Sequence, residues 1–140
     1  MALSISKNIS TEDLANIFGG NIPIKDHPLS YINTRLQEEH IFLARMDNQP
    51  AGFLIYDIWW GNCPFIELLK VNETYQRKGI GKELLSAAIK EIKSKNFTKL
   101  ISSSEVVNDM GLSFHKSFGF SPLKTLDLPH GEEQFFSIDL

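Results

Sequence analysis

Hydrophobic positions along this 140-residue chain repeat with two different periods. From residue 52 to 60 the spacing is two. It puts Phe53, Ile55, Asp57 and Trp59 on one face of a strand and Leu54, Tyr56, Ile58 and Trp60 on the other. Beyond Gly81 the spacing becomes helical: Leu84, Leu85, Ala88, Ile89 and Ile92 share a stripe, with Glu83, Lys90, Glu91 and Lys93 opposite. Met110, Phe114 and Phe118 form a second helical stripe, capped by Asn108 and stopped by Gly119.

The remaining elements follow from the same signals. A short strand is expected over 2–7. Ser10 or Thr11 caps a helix through Ala15 to Phe18, which Gly19-Gly20 stops. A loop over 21–28 with two prolines precedes a helix over 29–39, whose polar face carries Arg35, Gln37, Glu38 and Glu39. Ile41–Met46 and 52–60 read as strands joined by a turn at Asp47-Asn48-Gln49-Pro50, and Gly61-Asn62-Cys63-Pro64 turns into a third strand ending at Val71. This is an antiparallel meander. A hairpin centred near Asn62 sets Asp57 opposite Glu67, where two carboxylates repel, whereas one residue of slip puts them on opposite faces. Residues 100–107, with Ser102 to Ser104, form a buried strand, and 121–140 gives two more around Leu128-Pro129-His130-Gly131.

Composition narrows the class. A 42% hydrophobic chain of this length is expected to be one domain, residues 1–140, with a real core. A net charge of −3 gives no reason to expect nucleic acid or an anionic membrane as partner. Cys63 is the only cysteine, and neither a secretory signal nor a membrane-spanning run is evident, so a soluble cytoplasmic protein is expected. His27, His40, His115 and His130 lack the spacing of a zinc site, so no metal is expected.

The most informative stretch is Asn72-Glu-Thr-Tyr-Gln-Arg-Lys-Gly-Ile-Gly-Lys82, between the third strand and the long helix. A helix N-terminus prefers acidic neighbours, yet Arg77, Lys78 and Lys82 crowd this one. Orphan N–H groups, a positive dipole end, and glycines at 79 and 81 that admit a close ligand make this an anion site, with phosphate as the fitting partner. The bland alternative is a solvated basic turn. A Walker loop is excluded by Gln76 and Glu83, and a dinucleotide fingerprint by Leu84.

What remains, Gln76-x-x-Gly79-x-Gly81, resembles the acyl-CoA pyrophosphate loop of the GNAT N-acetyltransferase superfamily. The segment Asn-Asp-Met-Gly-Leu-Ser-Phe-His-Lys-Ser-Phe-Gly-Phe, residues 108–120, resembles that family's second signature. The resemblance implies an α+β fold: a single GNAT domain with a mostly antiparallel, splayed sheet flanked by helices. It implies that Leu69, Val71, Gln76, Arg77, Lys78, Gly79, Ile80, Gly81, Lys82 and Asn108 hold acetyl-CoA, with the pantetheine arm between the third strand and the one over 100–107.

The same resemblance implies direct attack of an amine on the acetyl thioester. Glu67 matches a Glu that several members use as general base, usually through water; the alternative is a strand Glu paired with a cation. N–H groups near Leu69 would polarise the carbonyl. His115 replaces the Tyr that many members place near the CoA sulfur, so it either donates a proton to the thiolate or only packs. The helical region before residue 40 would form one wall of the acceptor site, with Arg35, Asp57 and Trp59 as candidates; cation–π contact is one use for the indole, and core packing the other. The implied partners are acetyl-CoA and an amine of a small molecule or protein, and a homodimer is compatible. The competing reading is a module that binds acyl-CoA without turnover.

Overall fold

The computed structural model describes residues 2–10, 12–13 and 29–140, Leu29 by its backbone alone. The helix expected through Ala15 to Phe18 and the loop over 21–28 lie outside these, apart from helical backbone at Glu12 and Asp13.

Seven strands form one mixed sheet in the order β1-β2-β3-β4-β5-β7-β6. They are β1 (Leu3–Ser6), β2 (Ile41–Met46), β3 (Gln49–Trp59), β4 (Cys63–Val71), β5 (Lys99–Glu105), β6 (Ser121–Leu128) and β7 (Gly131–Asp139). Among the described residues the helices longer than one turn are α1 (Leu29–Gln37), α2 (Ile80–Ser94) and α3 (Asp109–Phe118). Strands β1 to β4 form an antiparallel meander, and β5, β7 and β6 a second antiparallel set. The two halves meet at a single parallel pair, Phe65 with Ile101, beyond which β4 and β5 diverge. That is the splayed, mostly antiparallel sheet expected from the sequence.

Alternation along β3 sorts the core as its pattern predicts. Leu54 and Tyr56 join Leu84, Ala88 and Ile92 of α2 on one face. Phe53 and Ile55 pack with Ile32 of α1 on the other. Three details differ from expectation. The β2–β3 turn is tighter, with only Asp47 and Asn48 at its tip, both at positive φ (50° and 68°) that their short polar side chains tolerate. The β3–β4 hairpin centres on Gly61, since Trp59 pairs with Cys63, and this puts Trp60 at the tip, 85% exposed.

The third difference is the register at Glu67. Asp57 lies opposite Phe65, not Glu67, because the ladder shifts between Tyr56–Ile66 and Ile55–Leu68. Glu67 is the extra residue of a β-bulge. Leu68 packs with the α1 cluster, and Glu67 bonds to α1 side chains, so two consecutive residues face the same way. A strict period of two cannot foresee this.

Candidate active site

The first part of the site is the corner between β4 and α2. Asn72 accepts from the Thr74 amide to start one turn of 3₁₀ helix, Glu73–Tyr75, and the Gln76 amide side chain bonds back to the Val71 carbonyl at 3.3 Å. The chain then takes left-handed conformations at Arg77 (φ 64°) and Gly79 (φ 77°), two residues apart, turning backbone N–H groups into a concave nest. Gly79 is the N-cap of α2 and supplies no side-chain bond to the first turn. Ile80 is 1% exposed and pins the corner to the core, while Arg77, Lys78, Gly79 and Lys82 are exposed around it. Cationic residues and uncapped donors thus gather at the positive end of the α2 dipole.

A groove of about 390 Å³ runs from Arg77 along α3, lined by Asp109, Met110, Ser113, Phe114 and Ser117. A Cβ built on Gly81 would stand 3.4 Å from the Phe114 ring and 3.8 Å from Val71, ordinary contact distances that a methyl would fill and a longer side chain would exceed, so α2, α3 and β4 meet here beside the corner. Asn108 caps α3 by accepting from the Gly111 amide at 3.0 Å, and Gly119 closes it at φ 116°. Leu69 and Val71 lie on β4 past the bulge, where that strand has left β5.

On the α1 side of the sheet the bulge presents Glu67 to four donors. Oε1 accepts from the Tyr31 hydroxyl and from Arg35 Nε, both at 2.8 Å, and Oε2 accepts from Arg35 Nη2 at 3.3 Å and Trp59 Nε1 at 3.2 Å. A carboxylate offers about four lone-pair positions, so these are filled. Arg35 also reaches Asp57 at 3.2 Å and Glu38 at 3.1 Å, and His40 Nδ1 lies 3.2 Å from Asp57. The guanidinium thus relieves the repulsion expected between Asp57 and Glu67 without their facing each other. Hydrogen bonding to Glu67 raises the Arg35 pKa, so the cation is permanent; burial and the Glu67 charge raise that of Tyr31, which stays a phenol. The Trp59 ring stacks on Phe65 at 4.1 Å, half-buried.

Arg35, expected on the polar face of its helix and as a candidate for the acceptor site, is turned toward the sheet with 16% of its side chain exposed. Tyr31 and His40 were not foreseen. The signal for Tyr31 was its position four residues before Arg35, which puts both on one helical face.

His115 is 7% exposed. Its ring lies parallel to Phe136 at 4.5 Å and edge-on to Phe120. Nδ1 is 2.7 Å from the Gly111 carbonyl, which can only accept, so Nδ1 carries the proton and the neutral ring accepts from Ser102 Oγ at Nε2, also 2.7 Å. Burial lowers its pKa below the ordinary histidine value, opposed by the Gly111 bond.

The family model of the acetyltransferase (GNAT) family matches residues 11–120. The chain belongs to this family. An N-alpha-acetyltransferase of the archaeon Sulfurisphaera tokodaii is 27% identical over 116 residues, covering 73% of this chain and 70% of that protein. Two solved structures share the fold. Naa50 of Arabidopsis thaliana, bound to a CoA-peptide bisubstrate analogue, is 18% identical with a TM-score of 0.79 over 100% of each chain. A Bacillus anthracis protein bound to acetyl coenzyme A is 23% identical with a TM-score of 0.66 over 71% of this chain, which spans only 61% of that one. Membership makes this GNAT chain an acetyl-CoA-dependent N-acetyltransferase whose reaction needs no metal, and it disfavours a non-catalytic acyl-CoA sensor. Among the described residues, no helix is long and apolar enough to cross a membrane.

Proposed function

We propose that the nest at residues 76–82 holds the pyrophosphate of acetyl-CoA, that the gap between β4 and β5 holds the pantetheine arm, and that the acceptor is the α-amino group of a polypeptide N-terminus. The observation that carries the cofactor side is the uncapped start of α2, where Arg77, Lys78 and Lys82 surround donors that no side chain among the described residues caps. Leu69 and Val71 would lie along the arm, with N–H groups near Leu69 polarising the thioester carbonyl. Asn108 shapes the α3 side by capping that helix.

The acceptor enters from the α1 face. The S. tokodaii relative acetylates α-amines by its name, and the Arabidopsis structure holds a peptide-derived analogue, which together support a polypeptide over a small amine. Arg35, Asp57, Trp59 and Glu67 form a fixed wall there. Because Glu67 has its lone pairs filled, its reading here is an anchor between α1 and β4, not the group that takes the proton. His115, neutral and bonded at both nitrogens, supports the packing alternative. The net charge of −3 and the lone Cys63 support a cytoplasmic setting with no nucleic-acid partner. The test follows free CoA by thiol reagent with acetyl-CoA and two panels, peptides with free N-termini and small polyamines. Turnover confined to the polyamines would overturn the peptide reading.

A further inference from the structure

The β4–β5 register raises a question that Glu67 does not answer. From the Phe65–Ile101 pair, two residues along each parallel strand lead to Glu67 on β4 and Ser103 on β5. Ser103 alternates with the core-facing Ser102 and Ser104, so it stands on the α1 face, as Glu67 does. The two therefore flank the gap at one level, where the strands begin to part. Phe135, the ladder partner of Ser103, and Phe65, that of Ile101, approach across β5 with ring centroids 5.9 Å apart, so apolar surface adjoins Ser103.

Ser103 is not alone. Its hydroxyl donates to Glu133 Oε2 of β7 at 2.6 Å, and His130 Nε2 lies 3.1 Å from Glu133 Oε1. The Glu133 side chain is 13% exposed, as enclosed as Glu67. The difference is in occupancy. Glu67 receives four hydrogen bonds, two of them from a permanent cation, whereas among the described residues Glu133 receives these two, leaving half of its acceptor positions open. A proton arriving at Glu67 must displace a donor; at Glu133 it need not. A depression of about 190 Å³ lined by Glu105, Val106, Val107, His130, Gly131 and Glu132 lies at this end of β5 and β7, with His130, the hydrogen-bond partner of Glu133, and Glu105, its ladder partner, in its wall.

We infer that Glu133, working through the Ser103 hydroxyl, is the proton acceptor for the incoming ammonium. This rests on the acetyl-transfer reading above. An N–H bond of the ammonium breaks and its proton passes to Ser103 Oγ, while the Ser103 O–H proton passes to Glu133 Oε2. The freed lone pair forms the N–C bond to the acetyl carbon. The C–S bond breaks with its electron pair on the CoA sulfur, which takes the second N–H proton, and Glu133 returns its own to solvent. Ser103 and Glu133 touch the reacting proton; His130 is a positioning residue. The charged groups facing Glu133 are His130 at the hairpin turn and Glu105 across on β5, with the neutral His115 behind β5. The hydrogen bond to Glu133 raises the His130 pKa, and because His130 meets Oε1 the other oxygen, Oε2, is the one that accepts from Ser103.

The experiment measures kcat and KM against pH for wild type, Glu133→Gln, Ser103→Ala and Ser103→Thr, with acetyl-CoA and the free-amine peptide Met-Val-Asn-Ala-Leu. Glu133→Gln should lower kcat near neutrality by about 100-fold or more. The deficit should shrink about tenfold per pH unit as free amine appears without help, and the KM for acetyl-CoA should stay as in wild type. Ser103→Ala should show the same phenotype and Ser103→Thr, which keeps the hydroxyl, should recover most activity. Unchanged kcat in Glu133→Gln, or a loss confined to acceptor KM with no change in pH profile, overturns the assignment. If Glu133→Gln gives no folded protein, the Ser103 pair decides on the same criteria. Failure of the parent reading looks different: wild type would bind acetyl-CoA yet release no CoA with the peptide or with the polyamines.

Discussion

A buried histidine bonded at both nitrogens is a commitment to one protonation state. In His115 the Gly111 carbonyl fixes the proton on Nδ1, Ser102 fills Nε2, and the Phe136 ring covers one face. Burial lowers its pKa, so the folded state refuses a proton that the unfolded chain accepts. The sign follows by linkage: the neutral ring's contribution is intact above the ordinary histidine value of about 6.5 and is lost as pH falls below it toward the lowered folded value. Urea unfolding of wild type at pH about 7.5 and about 5.5 should therefore show a stability loss that His115→Phe lacks. At the higher pH, His115→Phe should itself be less stable by about 1–3 kcal/mol, because the Ser102 hydroxyl loses its partner in a site where it is 3% exposed. Adding Ser102→Ala should return part of that loss, a coupling read from the double-mutant cycle. Sequence alone placed His115 on the right helix at the right turn. It could not choose between donor and packed residue, since that depends on Ser102 and Phe136, which reach the ring from two other strands.

At the scale of elements, local signals carried the corner and tertiary contacts carried the wall. Gln76-x-x-Gly79-x-Gly81 and the charges beside it were readable because strand, turn and helix N-terminus are contiguous. Gly81→Asp should abolish the rise in Tm that acetyl-CoA produces in wild type, because its side chain must enter beside Phe114 and carries negative charge toward an anion site. Unchanged affinity by titration calorimetry would refute the phosphate-corner assignment. The proposed acceptor wall was less legible. An alternating pattern predicts Asp57 opposite Glu67, and a bulge moves the register; Arg35 reads as part of a polar helical face and a candidate of the acceptor site, but nothing in α1 announces that its partners lie on β3 and β4. Glu67→Gln should accordingly raise acceptor KM by loosening α1 from the sheet, while the pH profile and the acetyl-CoA shift stay as in wild type. If instead Glu67→Gln reproduced a loss of kcat rescued at high pH, Glu67 and not Glu133 would be the proton acceptor.

For the whole molecule the decisive feature is that its sheet is two sheets joined by a single ladder pair. Strands β1 to β4 are tied to α2 by the Tyr56–Leu84–Ala88 core and by a polar clasp in which Glu91 meets Lys7 of the chain after β1 at 2.6 Å and the Tyr56 hydroxyl of β3. The β5–β7–β6 half is joined to α3 through His115, Phe120 and Phe136. Among the described residues only Phe65–Ile101 pairs the halves as a strand ladder, so N–H and C=O groups facing the gap beyond that pair lack the strand partners a continuous sheet would supply. An extended ligand carrying amide groups is the natural complement, and the pantetheine arm of CoA is one. Amide hydrogen exchange should therefore show low protection, without ligand, at those alternate amides of 66–71 and 102–105 that face the gap rather than β3 or β7, against high protection at Leu54, which is paired on both sides by β2 and β4. Saturating acetyl-CoA should raise protection on both sides of the gap together, and at the start of α2, while leaving β6 as it was. Gly81→Asp should lose all of these changes at once, since one ligand spans them. Protection rising at the α2 start alone would mean that the corner binds the phosphates but the gap does not receive the arm.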